Sequence, residues 1–269
     1  MTENRPLASR PAAAPLQSHG GRWGDAPIRL GLRLNHAAVL RQAGDGLRPD
    51  MARLAEATMR AGADSVVLRV DDQGGLITAD DLRRIRDRVR APLTLELRPD
   101  PARLDWLLTL EPAAVTLLPP AGGDVAADPD RLARMVDGLG TSGIAVVMLV
   151  GPEPDQIEAV RAAGVRSVEI DTTRYGEADP QHRGPLFQQL RQAAIQARGL
   201  GLGIQAGHGL DFATLAPVAA LPHLQGITCG RFLIAEALFI GIEDAVRHTR
   251  RLIDAARRQA RRHAAQTGG

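Results

Sequence analysis

The sequence predicts an α/β fold, a (β/α)8 TIM barrel with extra helices. Three observations carry that expectation. Eight short β-type runs recur along the chain, and helical patterns follow most of them. The strings RAGADSV and RAAGVRSVEI each end a helix on glycine and feed a new strand, the mark of βα units. A chain of 269 residues with 44% hydrophobic content can close one such barrel around a core. No GxGxxG string follows the first strand, which weighs against a doubly wound open sheet.

In chain order, residues 1–26 are rich in Pro, Ala, Gly and Ser without periodicity and read as a disordered arm. Strands are predicted at 28–34 (IRLGLRL), 65–70 (SVVLRV), 92–97 (PLTLEL) and 113–119 (AAVTLLP). Four more follow at 144–150 (IAVVMLV), 166–171 (RSVEID), 202–207 (LGIQAG) and 224–230 (LQGITCG). The helix predicted over 49–63 sets Met51, Leu54, Ala55, Thr58 and Met59 on one face and stops at Gly62. ADDLRRIRDRV, PARLDWLLTL, DPDRLARMVDGL and PDQIEAVRAAG repeat the pattern with acidic or proline starts. FLIAEALFIG supplies a further helix after the eighth strand. One barrel domain is expected over 27–262, with a frayed tail over 263–269.

Composition removes several function classes. Every basic side chain other than histidine is arginine, so no lysine is present for a Schiff base or a P-loop. Aromatics at 3% are too few for base-stacking platforms. Net charge is only +2, and the arginines of 247–262 read as a solvated helix face, so no nucleic-acid partner is expected. No apolar run is long enough to cross a bilayer, no signal-peptide core is present, and Cys229 is the single cysteine. The expectation is a cytoplasmic protein without a membrane partner. The histidines at 36, 182, 208, 223 and 248 show no HxH or HxxxH spacing, so no metal site and no cofactor are expected. Ser65 begins a strand rather than ending one, which gives a serine triad no support.

In a barrel of this kind the chemistry sits at the C-terminal ends of the strands. The first strand ends in Arg33, Asn35 and His36, and the second in Arg69 and Asp71. The third carries Glu96, the sixth Glu169, the seventh His208 with Gly209, and the eighth Gly230 with Arg231. Charged residues inside otherwise apolar strands are the most informative, because burying them is costly unless they are paired or line a wet pocket. Glu96 alternates with Leu93, Leu95 and Leu97, so it points inward if the leucines face the helices. It is either a general acid/base or the inner-layer partner of an arginine such as Arg69 or Arg33. Glu169 is placed alike, and a purely structural partnership suits it equally. His208 lies between Gly207 and Gly209, where the backbone can turn sharply or approach a ligand closely. Gly209 and Gly230 also fit the phosphate-binding device found after the last two strands of many barrels.

GLRLNHAAVLRQAG after the first strand, the glutamate of LTLELR, VEIDTTRYG, QAGHGLDF and GIEDAVRHTRRLI together resemble the pyridoxine 5′-phosphate synthase family over roughly residues 28–255. The resemblance implies a (β/α)8 barrel with extra helices, assembled as a homo-octamer. It also implies condensation of 1-deoxy-D-xylulose 5-phosphate with 3-amino-2-oxopropyl phosphate to close the pyridine ring of vitamin B6, with no metal or organic cofactor. Carried across, the family's acid/base glutamate falls on Glu96 and its proton-donor histidine on His208. The first-strand histidine falls on His36, and the glycines that hold a substrate phosphate fall on Gly209 and Gly230.

Other positions differ. Where the family reads Asn-x-Asp-His, this chain has Arg33-Leu34-Asn35-His36, and an arginine shortly afterwards is Gly44. The second strand's histidine and arginine are Arg69 and Asp71, the Pro-Glu-Lys-Arg string is Pro119-Pro120-Ala121-Gly122, and Gly-His is Gly230-Arg231. Exchanging an arginine for Asp71 removes a charge-assisted contact of roughly 1.5–3 kcal/mol and adds a repulsive charge toward phosphate. Arg33, Arg69 and Arg231 are candidate replacement clamps, although arginine cannot shuttle protons as histidine does. Three readings stand at this point. The chain is a synthase with a rearranged phosphate site, a paralogue using Glu96 and His208 on another anionic carbonyl substrate, or a non-catalytic barrel that binds a metabolite or a protein partner. A small phosphorylated or anionic molecule is the partner expected in all of them except a purely protein-binding form of the third.

Overall fold

The computed structural model describes residues 27–42, 49–70, 75–89, 91–120 and 128–267. The proposed arm at 1–26, Gly44, Asp71, and the loop beginning at Ala121 lie outside these residues. Eight parallel strands form a closed barrel in sequential order, β1 pairing with both β2 and β8. They are β1 Arg29–Arg33, β2 Ser65–Arg69, β3 Leu93–Leu97, β4 Ala114–Leu117, β5 Ala145–Val150, β6 Ser167–Asp171, β7 Gly203–Gly207 and β8 Gly226–Cys229. Each lies within the span expected for it from the sequence.

Side chains alternate along each strand, and the barrel uses the two faces differently. Leu93, Leu95 and Leu97 are buried in one apolar cluster with Leu82, Ile85 and Leu107 of the surrounding helices. Thr94 and Glu96 are thereby turned inward. In β1, Leu30 and Leu32 join the same cluster, and Arg33 is turned into the barrel. The helix-facing shell therefore supplies most of the apolar burial, while the upper interior is free to carry charge.

The helices are α1 Asn35–Gln42, α2 Met51–Arg60, α3 Ala79–Arg88, α4 Leu104–Leu110, α5 Pro129–Gly140 and α6 Pro154–Ala162. They continue as α7 Thr173–Gly176, α8 Arg183–Gly199, α9 Phe212–Ala219, α10 Arg231–Ile240 and α11 Ile242–Thr267. Their starts are chemically specified. Asp50 accepts hydrogen bonds from the Ala52 and Arg53 amides, and Thr78 with Asp81 forms a reciprocal capping box at α3.

The last helix runs through Thr267 into the tail expected over 263–269, since RRHAAQT contains neither glycine nor proline to stop it. One expectation changes: the arginines of 247–262 are not all solvated. Arg247, Arg251, Arg258 and Arg262 are exposed, but Arg250 donates to the Ile28 carbonyl and Asp64, and buried Arg257 donates to the Leu221 and Leu224 carbonyls. These two turn inward because loop carbonyls beside the barrel need donors.

Candidate active site

The centre of the site is built from three strands. Arg33 of β1, Glu96 of β3 and Glu169 of β6 are 6%, 1% and 2% exposed. Charges this deep are tolerated only with close partners. The Arg33 Nε donates to both Glu96 oxygens at 2.9 and 2.8 Å, and its Nη2 donates to Glu96 Oε1 as well. The same Nη2 reaches Glu169 Oε1 at 3.2 Å, while Thr228 donates to Glu169 Oε2 at 3.4 Å. Of the two roles open to Glu96, its geometry includes the inner-layer ion pair, and the partner is Arg33 rather than Arg69.

His208 enters from the turn after β7. Its Nδ1 lies 3.2 Å from Glu169 Oε1, close enough to pair but off the line of the ring N–H, so the contact is chiefly electrostatic. Burial opposes ionisation of Glu169, but His208 and the Arg33 guanidinium outweigh it and hold the carboxyl below its usual range. The Arg33 guanidinium is likewise desolvated, yet Glu96 and Glu169 raise its proton affinity overall.

The glycines around His208 have steric reasons. A Cβ on Gly207 would lie 2.5 Å from Glu169 Oε1 and 2.9 Å from the Thr228 carbonyl. His208 itself adopts a left-handed backbone, φ 76°, which costs a non-glycine residue on the order of 1–2 kcal/mol. Thr172 holds that conformation. Its amide donates to the Gly207 carbonyl at 2.8 Å, and its hydroxyl is shared between the Gly207 and His208 carbonyls. Gly209 packs so tightly on the loop after β6 that a Cβ would sit 2.8 Å from Thr173 Cα. The sequence offers Thr172 by its place at the end of the sixth strand, with no role given to it, and Thr173 is not among the expected site residues. Their only trace in the sequence is the pair of small hydroxyl residues at the end of β6.

The remaining expected residues line the rim. His36, second residue of α1, has a buried Nδ1 with no hydrogen-bond partner among the described residues. Burial, then Arg33 and Arg231, hold its imidazole below the ordinary histidine value. Gly230 backs onto both groups, its Cβ direction passing 3.1 Å from Arg33 Cβ and 3.5 Å from His36 Nδ1. Asn35 turns aside to the main chain of Arg69, exchanging two hydrogen bonds of 2.7 Å that extend the β1–β2 ladder. The Arg69 side chain is exposed at the end of β2, in register with Glu96. Arg231 opens α10 and pairs with Glu177 at the surface. Thus Arg33, Glu96, Glu169 and His208 converge, His36 and Gly230 flank them, and Arg69 and Arg231 stand further out.

Glu96, Glu169 and His208 also bring three potential ligand atoms within 4.8 Å of one another. Local spacing could not show this set, because its members come from β3, β6 and the turn after β7. Two carboxylates and an imidazole suit a divalent cation. Here, however, the Arg33 guanidinium already occupies the carboxylate oxygens, so an ion would have to displace a bonded internal cation.

A family profile described as "Pyridoxal phosphate biosynthesis protein PdxJ" matches residues 30–255. The pyridoxine 5′-phosphate synthase of Zymomonas mobilis is 34% identical over 238 residues, covering 86% of this chain and 93% of that protein. The enzyme of the same name from Rhodospirillum rubrum is 35% identical over 240 residues, covering 86% and 96%. Among solved structures, a 3-hexulose-6-phosphate synthase superposes with a TM-score of 0.58 at 18% identity, covering 84% of this chain and 99% of that one. That likeness concerns the barrel alone.

Proposed function

The chain belongs to the PdxJ family of pyridoxal phosphate biosynthesis, and on that premise we propose that it is a synthase joining small phosphorylated carbonyl and amine substrates by acid/base catalysis. The observation that supports this most strongly is the convergence of Glu96, Glu169 and His208 around Arg33 at the C-terminal mouth of the barrel. Condensation and ring closure need protons removed from carbon or nitrogen and delivered to departing oxygen. An imidazole that is 23% exposed and backed by a buried carboxylate is suited to both tasks.

In this reading His208 handles protons, and Glu96 completes the acid/base centre. Gly209 and Gly230 offer main-chain amides to a phosphate, with Arg69, Arg231 and His36 supplying donors at the rim. Asp71 replaces a cationic position of the family, so the phosphate is held differently from its relatives. The reaction assigned is the family's own, closure of the pyridine ring from 1-deoxy-D-xylulose 5-phosphate and 3-amino-2-oxopropyl phosphate. No cofactor is required.

The test is direct. Purified protein incubated with both substrates should form pyridoxine 5′-phosphate, and Glu96→Gln and His208→Ala should reduce the yield at least about 100-fold, the scale of a lost acid/base group. Absence of product from the wild type rejects this reading. A second reading, a paralogue acting on another anionic carbonyl compound, is favoured by the guanidinium lodged against Glu96. It requires stabilisation of the protein by such a compound in a thermal-shift screen, reduced in Arg69→Ala.

A further inference from the structure

We infer that Arg33 is a positioning residue that fixes Glu169 as a carboxylate and holds the Glu96 carboxyl in place beside it, so that proton traffic in the cluster runs through Glu96 and His208. The inference rests on the acid/base reading above and deepens it. Its first support is geometric. Arg33 Nε donates to both oxygens of Glu96, which fixes where that carboxyl lies. Arginine does not itself deprotonate, so the charge it brings to the cluster is constant. Nη2 then bridges to Glu169, so a single cation spans two acids drawn from β3 and β6.

The second support is the charge count within the cluster. One guanidinium faces two carboxylates, and His208 is the fourth member, 3.2 Å from the oxygen of Glu169 that Arg33 also contacts. His208 is the member of the four most open to solvent, its side chain 23% exposed. A proton on His208 balances the charges; its loss leaves one negative charge in excess. Glu169 thereby feels every change at His208, while Arg33 holds its charge constant.

Other groups around Arg33 do not replace it. From α1, His36 is pressed by Arg33 and Arg231 themselves. From β2, Arg69 lies exposed at the strand end. From β6, Asp171 accepts from the Thr173 amide, and from α10, Arg231 is engaged by Glu177. From β8, the Cys229 thiol is buried and pushed up to about 12 by that burial, which removes it from proton exchange. The inward residues of β4 and β5, Thr116 and Val147, carry no charge. Arg33 also makes a poor direct clamp for a substrate phosphate, since it is 6% exposed and already spans two carboxylates.

Two measurements test the inference, one independent of turnover. Carbon-detected NMR of the Glu169 carboxyl should show it ionised throughout the neutral range in the wild type. In Arg33→Gln its midpoint should rise by about one unit or more, and in Arg33→Lys, which keeps the charge without the fork, it should stay near wild type. Unchanged Glu169 titration in Arg33→Gln overturns the inference. If Arg33→Gln does not fold, a Lys variant whose neutral-range Glu169 signal matches that of protonated acid does so instead. The second measurement uses the two family substrates. Arg33→Gln should lower kcat at least about tenfold and shift the pH profile, with KM changed less than about threefold; Arg33→Lys should restore the profile. A rise in KM with an unmoved pH profile would mark Arg33 as a substrate clamp and overturn the positioning role. Wild-type protein that makes no product defeats the functional reading, while the NMR experiment still decides the role of Arg33.

Discussion

Arg33 and Glu96 lie 63 residues apart in sequence, on β1 and β3, yet the Arg33 Nε sits 2.8 and 2.9 Å from the two Glu96 oxygens. Both are almost fully buried, so the pair exists only because the barrel closes. Removing one member leaves the other charged and without its main partner. Glu96→Ala should therefore destabilise the fold by about 3–5 kcal/mol in urea unfolding. Converting both residues at once, Arg33→Met with Glu96→Leu, should cost clearly less than the sum of the single changes. Additive costs would show that the two residues are not energetically coupled.

Acid should weaken the protein through two identified groups. His36 lies below its ordinary value of 6.5, by burial and then by Arg33 and Arg231, so the unfolded chain binds its proton first. Its contribution is present above that value and is lost as pH falls through the lower folded-state value. Glu169 follows at more acidic pH. Burial opposes its ionisation, but His208 and Arg33 hold it below 4.5, and its contribution is present above 4.5 and lost below. Thermal unfolding should show stability declining as pH drops from 6.5. His36→Phe should flatten the upper part of that decline and Glu169→Gln the lower part. Identical slopes in all three proteins would remove both assignments.

Thr172 fastens the turn that presents His208, since its hydroxyl serves the Gly207 and His208 carbonyls and its amide serves Gly207 again. Thr172→Val keeps the shape and loses the hydroxyl. It should cost about 1–3 kcal/mol, the penalty of leaving a buried acceptor unsatisfied, and should lower turnover more than substrate binding. Thr172→Ser should recover most of the loss. Wild-type kinetics in the valine variant would show that the positive-φ histidine holds its place without this bond.

How much of this was legible beforehand differs between fold and site. The eight strands were readable because β-type runs, acidic or proline helix starts and glycine stops are local signals, and each observed strand falls within its predicted span. That Glu96 faces inward was readable too, from leucines on either side. Which arginine it meets was not, because partnership across a barrel depends on register and tilt, which no local pattern encodes. The same holds for the Glu96, Glu169 and His208 set, invisible to a search for short histidine spacings. Asn35 illustrates a different limit. Its type and place suggested a ligand, yet its amide is used by the Arg69 main chain, and nothing in the sequence separates those two uses. The left-handed backbone of His208 was equally hidden, being enforced from the neighbouring loop rather than from its own residue type.

One surface feature offers a test of the expected self-association. Leu238, Phe239 and Ile240 at the end of α10 are 73%, 84% and 45% exposed, and Val39 and Leu40 on the neighbouring α1 are 46% and 51% exposed. Apolar side chains gathered in this way are uncommon on a surface that stays in water. If the homo-octamer implied by the family resemblance forms and covers them, the gain is roughly 25 cal/mol per Å² of apolar surface buried. Phe239→Glu with Leu238→Glu should therefore give a species of lower mass than the wild type by sedimentation velocity, with far-UV circular dichroism unchanged because neither residue belongs to the buried core. Association would also bear on catalysis, because α1 carries His36 and α10 begins beside Gly230, so the same two helices reach from this patch to the site. The dissociated variant should accordingly lose activity as well as mass, by weakened substrate binding rather than by loss of His208. If wild type and variant sediment alike as monomers, the exposed patch has another use, and the octamer does not extend to this chain.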